Sequence, residues 1–150
     1  MIDPQSGALL LVGVRLEPGL TRAHLLASSH GRDASTAELS NGWTRVDLGT
    51  HALGVATFKV SVSFEGARLD GYTLVDVDPR FGSAWEEWSE KTERARRKAH
   101  DAWLLAALGP ADERRPGLRY ARGWGEAWST LDPREGAASI GVRFHKTGRR

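Results

Sequence analysis

The chain has 150 residues, enough for one domain with a single sizeable core. Its 21 basic and 19 acidic residues leave a formal charge of only +2, so no strong electrostatic field points to a highly charged partner. Cysteine is absent, which excludes disulfides, thiolate zinc sites, iron–sulfur clusters and cysteine nucleophiles.

Residues 1–7 read as a loose start. In 8–17 the even positions Leu10, Val12, Val14 and Leu16 are all apolar, the pattern of one half-buried strand closed by Pro18-Gly19. That apolar run is too short to span a bilayer and follows Asp3 rather than a basic cluster, so neither a secretion signal nor a membrane helix is expected. A cytoplasmic protein is the matching expectation. Thr21 can N-cap a short helix through about Ser29, with Leu25 and Leu26 inward and Gly31 ending it. Residues 31–42 read as loop and 43–48 as a second strand.

The clearest strand covers 55–65, where Phe58, Val60, Val62 and Phe64 alternate with Thr57, Lys59, Ser61 and Ser63. Glu65-Gly66 supplies a turn, and 69–78 returns as its partner up to Pro79. Residues 81–108 read as one long amphipathic helix. Ser83 and Glu86 have capping-box spacing, and Trp85, Trp88, Thr92, Ala95, Ala99, Trp103 and Ala106 fall on one face as its buried stripe. Trp88→Ala is accordingly expected to cost about 3–5 kcal/mol. Glutamates lead and arginines follow along the helix, complementing its dipole, and Gly109-Pro110 ends it. Residues 120–130 and 138–145 then form a hairpin through Asp132-Pro133-Arg134-Glu135-Gly136. The basic tail 146–150 is expected to fray.

The order β-α-β-β-β-α-β-β predicts a single α+β domain: an antiparallel sheet of about six strands with one short and one long helix on one face. The segments PGLTRAHLLAS (18–28), FGSAWEEWSEKTERARRKAHDAWL (81–104) and RGWGEAWSTLDPREGAASIGVRF (122–144) resemble those of a family of small bacterial proteins without an established activity. The opening strand and short helix also look like half of a lactamase-inhibitor-like domain, and some small bacterial proteins of this size are similar to immunity proteins, which neutralise a toxin domain. These likenesses imply a bacterial protein that acts by binding another protein.

No catalytic constellation can be assembled locally. The five histidines show neither HxxxH nor HExxH spacing, so no metal pair is encoded, and no cofactor motif is present. His100 and Asp101 are adjacent on a helix and point about 100° apart, which opposes an acid–base pair. Gly123-Trp124-Gly125 lies in a strand pattern and reads as a bulge, not a phosphate loop. Asp76 and Asp78 share a strand face, a pairing more often plain turn chemistry.

The partner-binding candidates are Tyr120, Arg122, Trp124, Glu126 and Trp128, read as one strand face whose Trp, Tyr and Arg content is typical of protein interfaces. The expected function is a non-catalytic, immunity- or inhibitor-type module that blocks a toxin or enzyme. The alternative is a nucleic-acid binder using Arg119, Arg122, Trp124 and Trp128, by stacking and phosphate contact.

Overall fold

A computed structural model of the chain describes residues 1–82, 88–132 and 136–146. Among these residues, nine strands and two α-helices follow one another as β1 (Leu9–Leu11), β2 (Val14–Leu16), α1 (Arg22–Ala27), β3 (Ser35–Glu38), β4 (Trp43–Leu53), β5 (Ala56–Glu65), β6 (Arg68–Asp76), α2 (Glu90–Leu108), β7 (Arg119–Arg122), β8 (Gly125–Asp132) and β9 (Ala137–Phe144). The architecture is α+β. Strands β3 to β9 form one antiparallel sheet of seven in the order β3-β4-β5-β6-β9-β8-β7, and β1 and β2 pair separately.

The β5 alternation is real and orients the whole sheet. Phe58, Val60, Val62 and Phe64 are fully buried, and the register sets Val46, Leu74, Ile140 and Val142 on the same inner face. Leu25 of α1, Leu9, Leu11 and Leu16 of the small hairpin, and Trp103 and Leu104 of α2 close this face into one core. Thr21 caps α1 as expected, its hydroxyl accepting from the His24 amide at 3.2 Å.

Six expectations change. Leu26 of α1, read as facing inward, is exposed, and Leu25 is the buried residue of that helix. The strand predicted over 8–17 is the β1–β2 hairpin, turning at Val12-Gly13 with Gly13 at φ +78°, so Leu9 and Leu11 are buried while Leu10 and Val12 are exposed. The loop predicted over 31–42 contains the edge strand β3, polar and exposed throughout, which carried no hydrophobic signal. The strand predicted over 120–130 folds back at Gly123-Trp124 as the β7–β8 hairpin, giving seven strands rather than about six. Residues 1–7 are not loose: Ile2 is buried, and the Gly7 carbonyl accepts from the buried Tyr72 hydroxyl at 2.8 Å.

The long helix changes most. Its described turns begin at Glu90 with Ser89 as N-cap, the Ser89 hydroxyl accepting from the Thr92 amide at 3.1 Å. The Ser83–Glu86 capping box and Trp85 lie outside the described residues. Trp88 precedes the helix and is 43% exposed, with its indole N–H donating to the Gly136 carbonyl at 2.8 Å, so it is not part of a buried helical stripe. The buried residues of α2 are Glu93, His100, Trp103 and Leu104, a face rotated from the one that apolar spacing selects. Ala95 and Ala106 of the predicted stripe are exposed. Charge pairing explains the rotation: Arg96 donates to Glu93 and to the Phe81 and Gly82 carbonyls, and the other Glu93 oxygen accepts from the Ala138 amide of β9 at 3.0 Å. Glu93 is bonded through both oxygens and Arg96 through its two terminal nitrogens, its buried Nε having no partner among the described residues, and the pair occupies positions normally held by apolar side chains.

The two edges of the sheet differ. Residues 112–113 run along β7, bonding the Arg119 amide and carbonyl, and an Asp112 carboxylate oxygen takes the Ala121 amide at 2.6 Å. The β7 edge is therefore closed by its own chain, while β3 forms the opposite edge.

Candidate protein interface

Because opposite residues of an antiparallel pair share a face, the register defines what the sheet presents away from the core. Ser35, Asp47, Ser61, Thr73, Gly141, Trp128 and Arg119 form one row that crosses all seven strands without a break. Ala37, Arg45, Ser63, Gly71, Arg143, Glu126 and Ala121 form the adjacent row. Among the described residues no helix packs on these rows. α2 lies on the other side, where Ser129, next to Trp128 in the chain, donates its hydroxyl to Asp101.

The middle of this open face is low and polar, formed by Ser61, Ser63, Gly71, Thr73 and Gly141. Trp128 lies across Gly141, where a Cβ would come within 2.5 Å of the indole; only glycine allows the ring to settle so close to the strand. On the far side of the trough Asp47 accepts from the Ser61 hydroxyl at 2.6 Å and from Arg45 at 3.2 Å. Partial burial opposes ionisation of Asp47, but these two donors outweigh it and hold its carboxyl below the usual range. Nearer the end of the trough Asp70 bridges Arg68 at 3.2 Å and Arg143 at 3.4 Å.

The five predicted interface residues do not share this face. Glu126 and Trp128 are on it, with Glu126 3.5 Å from Arg119. Tyr120 is on the covered side, 1% exposed, its hydroxyl donating to the Gly109 carbonyl at the end of α2 at 2.8 Å. Burial raises its pKa. Arg122 lies over the Tyr120 ring at 5.2 Å and pairs with Asp112 at 3.1 Å. The Ala121 amide, with Arg122 beside it, holds the Asp112 carboxyl below its ordinary value. Trp124, in the β7–β8 turn, donates its indole N–H to the Pro4 carbonyl at 3.1 Å and packs on Phe144. The hairpin therefore separates residues that a continuous strand would have aligned. The nucleic-acid set divides the same way, with Arg119 and Trp128 on the open face and Arg122 and Trp124 off it.

Sequence reasoning missed Arg45, Asp47, Lys59, Thr73 and Arg143. The wet half of the β5 alternation was visible, but its cross-strand neighbours are set by a register that no local pattern carries.

The acid–base candidates have structural roles. His100 is fully buried, and its Nε2 accepts from the Asp76 amide at 3.0 Å. Burial, with Arg96 nearby, lowers its pKa to about 4. Asp101 is committed to Ser129, so the two neighbours diverge as helix geometry requires. Asp76 accepts from the Asp78 amide at 2.9 Å and Asp78 from the Arg80 amide at 3.0 Å, which is turn chemistry. Among the described residues no cluster of three or more His, Asp or Glu is placed to hold a metal ion, and no helix is long and apolar enough to cross a membrane.

No family model matches the chain, and no curated protein is significantly similar to it in sequence. Among solved structures, the fold is similar to a chain from the complex of Rhs1-CT with its cognate immunity protein RhsI1. The match has a TM-score of 0.57 and 18% identity, and covers 96% of this chain and 86% of the other.

Proposed function

We propose that this chain is a non-catalytic, bacterial, immunity-type protein that neutralises a toxin domain in the cytoplasm by binding it. The observation that carries the reading is the fold likeness along almost the whole chain to a component of a toxin–immunity complex. Two features of the chain support it. The buried histidine, serine and carboxylates each make structural hydrogen bonds, and among the described residues no helix packs on the open face of the sheet. The near-neutral charge points to a toxin whose binding surface is not strongly basic, since a basic target calls for an acidic inhibitor.

The reading is tested by affinity purification from the native organism at high salt after nuclease treatment. One stoichiometric protein that is toxic when expressed alone, and harmless when co-expressed with this chain, is the expected result. Material released by nuclease or by moderate salt would instead assign the chain to nucleic acid.

A further inference from the structure

We propose that the toxin partner docks on the open face of the seven-stranded sheet, and that this surface fits a folded protein domain presenting a flat, polar, mildly acidic patch. The inference rests on the immunity reading and adds to it the surface and the chemistry of the partner.

Area is the first argument. Seven strands about 4.8 Å apart span roughly 30 Å, and the paired lengths give the face about 700 Å². That is close to the roughly 800 Å² per partner of a standard specific interface. The second argument is anatomy. Trp128, on the sixth of the seven strands, lies across Gly141 beside a trough of hydroxyls and glycines that ion pairs flank, an aromatic contact set among polar groups as in protein interfaces.

Charge gives the third argument and selects the occupant. The central rows and the adjoining β5 position carry Arg45, Lys59, Arg119 and Arg143 against Asp47 and Glu126, with Glu113 at the edge pairing Arg119 at 3.7 Å, which leaves a surplus of one positive charge. Glu65, Arg68, Asp70 and Lys146 at the margin balance one another. An acidic protein patch meets this surplus while offering cations to Asp47 and Glu126. Those carboxylates, spaced through the face, would repel a continuous phosphate backbone, which argues for protein over nucleic acid. A second copy would bring the same positive surplus against itself.

The partner captured from nuclease-treated lysate is purified and used as the probe in titrations with four forms of the full chain. These are wild type, Thr73→Arg and Lys59→Glu on the open face, and Val55→Glu at the fully exposed tip of the β4–β5 turn, beside α2. Thr73 and Lys59 are exposed, so melting temperature should hold in each variant. We expect binding to weaken at least about tenfold with Thr73→Arg and with Lys59→Glu, as for central interface contacts, and Val55→Glu to bind as wild type. Loss confined to Val55→Glu would overturn the surface while leaving the immunity reading in place. Capture only of nucleic acid, or a dimer of this chain dispersed by Thr73→Arg, would overturn the occupant. Capture of nothing would overturn both the surface and the immunity reading.

Discussion

His100 is packed against Phe58, with ring centroids 6.0 Å apart, and its Nε2 is the sole side-chain acceptor for the Asp76 amide among the described hydrogen bonds. Keeping it neutral inside the fold has a pH signature. Its folded pKa of about 4 lies below the ordinary 6.5, so its contribution is fully present above pH 6.5 and is lost as pH falls toward 4. The gap corresponds to about 3 kcal/mol. Urea unfolding between pH 7.5 and 5 should show falling stability, and His100→Gln should be weaker at neutral pH but flatter across that window. Trp103 and Trp88 offer a second contrast. Trp103→Ala truncates a core ring that also donates to the Leu53 carbonyl at 3.0 Å, and should cost about 3–5 kcal/mol. Trp88→Ala removes a part-exposed ring that precedes the helix and its bond to Gly136, and should cost less, about 1–2 kcal/mol. Equal shifts in melting temperature would contradict this ranking. The sequence made both tryptophans look alike because spacing reports which residues could share a face, not where a helix starts.

Among the elements, α2 shows how polar pairing shifts a helix on its axis. An apolar stripe is the strongest local cue to a buried face, yet Glu93 and Arg96 are inside here, bonded to each other and to β9 and the Phe81 turn. Such a network cannot be read from single positions, since its partners come from segments 14 to 45 residues away. Glu93→Gln leaves the Arg96 guanidinium buried without its carboxylate and should destabilise by about 3–5 kcal/mol. Ser89→Ala removes only the N-cap and should cost about 1 kcal/mol. Chemical denaturation of the two variants measures the difference. The β5 strand was legible because its alternation is strict. The β7–β8 hairpin was not, because Gly123-Trp124-Gly125 fits a bulge as well as a reversal, and that ambiguity placed Tyr120, Arg122 and Trp124 on the wrong side of the sheet.

At the level of the whole molecule, the helices and the small hairpin cover one side of the sheet, and the chain's start packs with them. Pro4 and Gly7 accept hydrogen bonds from Trp124 and Tyr72, 120 and 65 residues distant. Removing residues 1–7 would strip Tyr72 of the acceptor for a hydroxyl whose burial raises its pKa well above the ordinary value. Such a truncation should lower the melting temperature by about 10 °C or more, as expected for a loss of several kcal/mol; an unchanged transition would return the segment to the status of a loose tail. The two sheet edges carry a different consequence. Edge-to-edge growth of sheets needs a free strand on each side of every subunit. Here β7 is already bonded by residues 112–113, and the four-residue β3 is the other end. Among the described residues, pairing through β3 therefore uses up the last free edge of the seven-stranded sheet after two molecules, which gives that sheet a built-in stop against growing into fibres.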